Sequence, residues 1–113
     1  MTFSADSLFD FDKATLQPQS KAALDAIAQY LKANPVRIFY VVGHTDSRGT
    51  FAYNTKLSSD RAHAVVDELV KGYGIASTRL EPHGVGPLNP VSSNGSDAGR
   101  ERNRRVELVE KPS

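Results

Sequence analysis

Cysteine is absent from the 113-residue sequence, which excludes disulfide bonds, thiolate metal ligands and a thiol nucleophile. The sequence also lacks the run of about eighteen apolar residues that a membrane-spanning helix needs. Met1 is not followed by a basic segment, an apolar core and a cleavage site, so a secretory signal is not indicated. We expect any signal or membrane anchor to lie outside this sequence, in the rest of a larger protein.

An excess of charge of one sign is missing as well. Lys and Arg total 14, Asp and Glu total 13, and the formal net charge is +1. Such a balance creates no broad field that would hold a polyanion, so we predict no nucleic-acid partner. With 39% hydrophobic and 24% charged residues, the composition is typical of soluble globular domains. Because a chain of this length forms one hydrophobic core, we predict a single domain over residues 1–113.

The first part of the chain predicts a strand, a helix and a second strand. Apolar and polar residues alternate over residues 7–12, which indicates a short strand with one buried face. Apolar residues recur at helical spacing over residues 19–33, and the Asn-Pro pair that follows ends this helix. Residues 36–42 are mostly β-branched or aromatic and stop at Gly43, as expected of a buried central strand.

A loop over residues 44–56 and a second helix come next. Apolar residues at helical spacing indicate this helix over residues 57–72, with Ser58 as its cap. The loop contains the polar residues that follow the central strand. We therefore expect the loop to lie beside the start of the second helix.

The last part of the chain predicts two strands joined by a long loop. Residues 79–86 fit a strand at the edge of the sheet, because Pro82 cannot donate a hydrogen bond to a neighbouring strand. Residues 87–99 are rich in Pro, Asn, Ser and Gly and indicate a surface loop, and residues 105–110 alternate as a strand. The order β-α-β-α-β-loop-β predicts an α/β sandwich, with a mixed sheet of about four strands and two main helices on one face.

Asp46 stands three residues beyond the glycine that ends the central strand. In open α/β sheets the crevice at the carboxyl ends of the strands is the usual ligand site, so this carboxylate is well placed to bind a ligand. Asp also caps loops by accepting hydrogen bonds from backbone N–H groups. The position of Asp46 alone leaves both roles open.

Arg61 falls in the first turn of the second predicted helix, in line with its apolar stripe. A cation there opposes the helix dipole by a few tenths to about 1 kcal/mol, so we expect a compensating carboxylate, either internal or on a ligand. Asp46 and Arg61 together suit a zwitterion. Asp46 would bind the ammonium, and Arg61 would bind the carboxylate with help from the N-terminal N–H groups of the helix.

Several spaced motifs support this reading and occur in a recognisable order. They are Phe9-Asp10-Phe11-Asp12-Lys13, Gly43-His44-Thr45-Asp46, Tyr53-Asn54, Leu57-Ser58-Ser59-Asp60-Arg61-Ala62, Gly74-Ile75, Gly84-Val85-Gly86 and Asn103-Arg104-Arg105-Val106-Glu107. This series closely resembles the OmpA-like C-terminal domain, a peptidoglycan-binding family shared with peptidoglycan-associated lipoprotein. The resemblance covers nearly the whole chain.

The resemblance implies non-covalent binding of uncrosslinked peptidoglycan through the meso-diaminopimelate of its stem peptide. The Asp and Arg that are the main ligands in the family match Asp46 and Arg61 here. Thr50, Asn54 and Leu57 match positions that line the family's pocket, and Phe11 or Asp12 from the first predicted strand would close it. The domain would then be periplasmic and part of a protein attached to the outer membrane, and it would tether that membrane or an envelope complex to the cell wall.

Other functions fit parts of the sequence less well. His44 and Asp46 could begin a metal site, but no third ligand follows at a motif spacing. A hydrolase of wall sugars would need paired acids, for which Asp10, Asp12 and Asp46 are candidates. A scaffold or stator-type domain of an envelope machine is compatible with wall binding. The arginines near the C-terminus are interrupted by Glu101, which favours a structural role. We predict no enzyme activity, no metal and no cofactor.

Overall fold

A four-stranded sheet forms the centre of the computed structural model, which describes residues 1–112. The strands are β1 (Thr2–Ser4), β2 (Phe39–His44), β3 (Leu80–Gly84) and β4 (Arg105–Glu110), and they lie in the order β1-β4-β2-β3. β2 is parallel to β3, whereas β4 is antiparallel to both β1 and β2. The sheet is therefore mixed, with β2 inside it and β3 at an edge, as predicted.

Two long helices, α2 (Lys21–Ala33) and α3 (Phe51–Tyr73), pack on the sheet, and two short ones are α1 (Ala5–Leu8) and α4 (Asp97–Asn103). The hydrophobic core lies between the apolar stripes of the long helices and the strands. Its residues with less than 2% exposure include Leu8, Phe9, Ile27, Leu31, Val41, Val65, Leu69 and Val106. The predicted fold class is confirmed. No helix within residues 1–112 is long and apolar enough to cross a membrane.

The predicted strand over residues 7–12 is wrong. Leu8 ends helix α1, and it is buried together with its neighbour Phe9, whereas adjacent residues of a strand face opposite sides. Asp12 has a φ of 59°, in the left-handed region typical of turns. The strand that pairs with β4 is instead formed by residues 2–4.

The second long helix begins six residues earlier than predicted, at Phe51. Thr50 caps it by accepting a hydrogen bond from the backbone N–H of Tyr53 at 3.1 Å. Ser58 is not the cap, because it is fully buried inside the helix and accepts a hydrogen bond from the Gly86 N–H at 2.9 Å. The expected dipole effect at Arg61, and the expected help from N-terminal N–H groups, therefore do not apply.

Smaller differences concern the ends of two other elements. β2 starts at residue 39 rather than 36, because a turn in which Arg37 N–H donates to Asn34 O leaves Val36 90% exposed. The predicted loop over residues 87–99 gives way at its end to α4, which Ser96 caps by accepting the Gly99 N–H at 3.0 Å. This short helix leads into β4 and positions Arg104, the residue between the two elements.

Candidate functional site

A cleft of about 740 Å³ opens beyond the carboxyl end of β2. Four parts of the chain form its walls: the segment around α1, the loop after β2, the first half of α3 and the region of α4. Six of the seven predicted site residues line it, namely Phe11, Asp12, Asp46, Asn54, Leu57 and Arg61. The structure therefore brings together side chains that are far apart in sequence.

Asp46 is buried at the base of this cleft, with 8% exposure. One carboxylate oxygen, Oδ1, accepts the backbone N–H of Arg48 at 2.9 Å. The other, Oδ2, accepts Nη1 of Arg104 at 2.7 Å. Asp46 thus caps its loop, as the simpler interpretation held, and also forms an ion pair. An ionised carboxylate offers about four acceptor positions, so capacity for a ligand donor remains.

Arg104 connects Asp46 to a second carboxylate. Its Nε and Nη2 donate to the two oxygens of Asp6, each at 3.0 Å. The hydrogen bonds with Asp6 raise the pKa of Arg104, burial opposes this, and Asp46 contributes in the same direction as Asp6. Sequence reasoning did not identify either residue as part of the site. Arg104 lies in one of the family-like motifs, but nothing near Asp6 in the sequence signals its partner, which is 98 positions away.

Arg61 is the buried cation of the cleft, with 5% exposure. Its Nε donates to the backbone oxygen of Lys13 at 2.9 Å, and its guanidinium lies 5.1 Å from the centroid of the Phe9 ring. Burial lowers the pKa of Arg61, while Asp6 and Asp12 oppose that shift. No carboxylate within residues 1–112 forms an ion pair with Arg61. A buried charge without a counter-ion is costly, so this position fits an external anion.

Helix α3 contributes the other predicted side chains. Asn54 is buried, and its Nδ2 donates to the backbone oxygen of Arg48 at 2.6 Å, which fixes the loop after β2. Leu57 is half-buried and lines the same wall. Thr50 is exposed and is outside the cleft lining, because its side chain caps the helix. Thr50 therefore affects the cleft only indirectly, because it fixes the start of α3, whose first half forms one wall.

The turn after Phe9 forms the mouth of the cleft. Phe11 is 93% exposed there. Asp12 accepts the hydroxyl hydrogen of Tyr53 at 2.7 Å, and this hydrogen bond raises the pKa of Tyr53. The turn is thereby attached to the first turn of α3. Tyr53 belongs to one of the family-like motifs but was not predicted as a site residue.

Behind the cleft lies a polar group of three residues, of which His44 and Arg105 are buried and Glu107 is half-buried. His44 is 4% exposed, and its Nε2 lies 2.7 Å from Oε1 of Glu107, without hydrogen-bond alignment. Nη2 of Arg105 lies 3.2 Å from the same oxygen and holds the loop between β3 and α4 by donating to the backbone oxygen of Asn89 at 2.9 Å. This contact fits the structural role predicted for the arginines near the C-terminus. Residues 1–112 contain no cluster of three potential metal ligands around His44 or elsewhere.

Comparisons with known sequences give one consistent family. The model of the OmpA family matches residues 8–104. Outer membrane protein A of Bordetella avium is 48% identical over 108 residues, which cover 96% of this chain and 55% of that protein. Outer membrane porin F of Pseudomonas aeruginosa is 46% identical over 102 residues, covering 90% of this chain and 29% of that protein. The chain thus spans about half or less of the length of these relatives.

Solved structures with the same fold include two at more than a third identity. The peptidoglycan-associated lipoprotein of Burkholderia pseudomallei is 35% identical with a TM-score of 0.81, over 97% of this chain and 89% of that one. The cell wall anchor of the type VI secretion system of Pseudomonas aeruginosa is 36% identical with a TM-score of 0.85, over 98% and 80%. Since the family match extends over most of the residues and the fold agrees throughout, this chain belongs to the OmpA family.

Proposed function

We propose that this domain binds peptidoglycan non-covalently in the periplasm and thereby anchors an envelope protein to the cell wall. By their names, the similar solved structures include a peptidoglycan-associated lipoprotein and a cell wall anchor. Two sequence relatives are named as outer membrane proteins. These names support both the predicted binding function and the predicted location of the domain.

The ligand group proposed for the cleft is the free end of meso-diaminopimelate in a stem peptide. This end carries an ammonium and a carboxylate on one carbon atom. The observation that supports it most is the buried guanidinium of Arg61, which lacks a carboxylate partner among residues 1–112 and lines the same cleft as Asp46. A ligand carboxylate would supply the missing anion in the planar geometry that arginine favours. The remaining acceptor positions of Asp46 would receive the ammonium.

The other cleft residues have supporting roles in this proposal. Leu57 would contact the aliphatic part of diaminopimelate. Asn54 would hold the loop that carries Asp46, and the turn with Phe11 and Asp12 would cover the entrance. The cleft is large enough for neighbouring parts of the stem peptide as well.

We infer that the domain acts without catalysis. A glycosidase needs two carboxyl groups that face each other across the scissile bond. Asp46 is engaged by Arg104 and by the Arg48 backbone, Asp12 accepts the Tyr53 hydroxyl, and Asp10 lies outside the cleft lining. This arrangement does not favour the alternative of a wall-sugar hydrolase. Incubation with purified cell wall should release no soluble fragments, and their release over time would contradict this inference.

Calorimetric titration with two stem peptides tests the proposed ligand. One peptide ends in meso-diaminopimelate, and the other has lysine at that position, which keeps the ammonium but lacks the second carboxylate. We expect binding of the first peptide and at least about tenfold weaker binding of the second, because Arg61 then has no partner. Equal binding of both peptides would contradict the role of the carboxylate, and binding of neither would contradict the proposed function.

Two substitutions locate the binding site. Arg61→Gln and Asp46→Asn should each weaken binding of the diaminopimelate peptide by roughly thirtyfold or more, as expected when one member of a buried charge pair is lost. The matched controls are Arg37→Gln, at the opposite end of β2, and Asp67→Asn, on the exposed side of α3. Controls that weaken binding equally would place the site elsewhere.

A further inference from the structure

Asp6 lies on the wall of the cleft and contacts Arg104, which in turn contacts Asp46. We propose that Asp6 gives the cleft its selectivity for a ligand that carries an ammonium beside a carboxylate. The inference rests on the proposed function, since it assigns a specificity-determining residue to the same site. Asp6 would act through Arg104 and is therefore a positioning residue.

The geometry of Arg104 supports this role. Its planar guanidinium donates two hydrogen bonds to the two oxygens of Asp6, both at 3.0 Å, and one to Asp46 at 2.7 Å. Such a two-point pair fixes the plane of an arginine side chain. Two of the three nitrogens of Arg104 thus face Asp6. Only one, Nη1, faces Asp46, which is the proposed partner of the ammonium.

The charges explain why Asp6 matters for binding. Without it, Asp46 and Arg104 would form a neutral pair, and an incoming ammonium would meet no net negative charge on this wall. Two carboxylates with one guanidinium leave one net negative charge there. Arg61 supplies one positive charge in the same cleft. These four residues together therefore offer one net negative and one positive charge, which matches a zwitterion.

Asp6 also influences the second cation of the cleft. Its charge raises the pKa of Arg61, against the larger lowering by burial. Asp6 therefore raises the pKa of both Arg61 and Arg104. Its side chain is 47% exposed, so solvent weakens its effect over longer distances. The direct contact with Arg104 is consequently the main route of its influence.

A merely structural role for Asp6 makes a different prediction. The ion pair with Arg104 and the hydrogen bond from Ala5 N–H to Arg104 O at 2.9 Å both attach α1 to the start of β4. If Asp6 only stabilised this attachment, its loss would weaken the binding of every ligand to a similar extent. The ratio of two affinities separates the roles, because a general loss of stability leaves that ratio unchanged.

The experiment measures this ratio by calorimetry. The diaminopimelate stem peptide is titrated in two forms, one with the free terminal ammonium and one in which this amine is acetylated. In the parent domain, acetylation should weaken binding about tenfold or more, because a charge-assisted hydrogen bond is lost. In Asp6→Asn the free peptide should bind about tenfold more weakly and the acetylated one nearly as before, so the ratio falls close to one.

Asp10→Asn is the matched control, because Asp10 is an exposed carboxylate outside the cleft lining, and it should keep the parent ratio. Asp6→Ser, a second charge-removing variant, should behave as Asp6→Asn does. A parent that discriminates between the peptides, beside folded Asp6 variants that discriminate equally well, would overturn this inference alone. A parent that binds neither peptide would overturn the proposed function and this inference with it.

Discussion

Arg61 has opposing effects on ligand binding and on the stability of the free domain. The Lys13 backbone oxygen and the Phe9 ring orient the guanidinium, but neither is an anion that could compensate its buried charge. Burial without a counter-ion destabilises the folded state. Sites prepared for a ligand commonly reduce stability in this way. Arg61 should therefore lower the stability of the free domain while it contributes to binding.

Arg61→Met tests this trade-off. Methionine has a similar length and no charge, so the substitution should raise the free energy of unfolding of the free domain by about 1 kcal/mol. The same variant should lose measurable binding of the diaminopimelate peptide. Denaturant unfolding and calorimetry give the two quantities, and Arg37→Met is the exposed control. A variant that is less stable than the parent would show that the contacts with Lys13 and Phe9 outweigh the cost of burial.

At the level of secondary structure, the packing of α3 on the sheet sets the position of Arg61. A Cβ atom at Gly43 would lie 2.2 Å from the backbone oxygen of Ser58, and one at Gly84 would lie 2.1 Å from the backbone nitrogen of Ser59. Backbone atoms cannot move aside as a flexible side chain can. Both strands therefore approach the helix closely only because these positions are glycine. The contacts lie two and three residues before Arg61 in the helix.

Gly84→Ala should consequently affect both stability and binding. The added methyl group forces α3 away from β3, and we expect a loss of about 2 kcal/mol in the free energy of unfolding. The displaced helix also moves Arg61, so the peptide should bind more weakly in protein that is still folded. Gly95→Ala is the control, because its Cβ would meet only the side-chain oxygen of Ser93, at 3.2 Å. Unchanged stability of Gly84→Ala would contradict the close approach.

The same scale shows why some elements could be predicted and others could not. Helix α2 and strand β4 have clear periodic patterns, and both were found close to their actual bounds. The first turn of α3 exposes Phe51 and Tyr53, at 56% and 45%, so no apolar stripe marks the start of that helix. Its cap, Thr50, is recognised only once the start is known. Helix α4 is too short for a periodic pattern.

The candidate site shows a similar division. The positions of Asp46 and Arg61 in the sequence, together with the resemblance to the family, indicated both residues, and the fold brings them to one cleft. The pairing of Asp6 with Arg104 joins the two ends of the chain, and such contacts have no local pattern. The incorrect prediction of a strand over residues 7–12 also left Asp6 outside any predicted element, so its side chain could not be assigned to the cleft. Partners of this kind follow from the tertiary structure alone.

At the scale of the whole molecule, the cleft exists only when distant segments are assembled. Its walls come from α1, the loop after β2, α3 and α4, so no single segment can bind the proposed ligand. Behind them, His44 in β2 and the Glu107–Arg105 pair in β4 join the two central strands at the end that carries the site. The protonation state of the buried His44 therefore affects the stability of the entire domain.

The stability of the domain should fall on mild acidification because of His44. Burial, and then the charge of Arg105, lower the pKa of His44 below its ordinary value of 6.5, although Glu107 opposes the shift. The unfolded chain then binds the proton more readily than the folded domain does. Stability is fully present well above pH 6.5, where His44 is neutral in both states, and it is lost as the pH falls through the unfolded-state pKa towards the lowered folded-state pKa.

Denaturant unfolding at a series of pH values between about 7.5 and 5 measures this effect. The free energy of unfolding should decrease towards pH 5 in the parent, and the decrease should be smaller in His44→Gln, in which nothing titrates at this position. His63→Gln replaces an exposed histidine on α3 and should retain the parent's slope. An equal decrease in His44→Gln and the parent would mean that the acid sensitivity does not arise from His44.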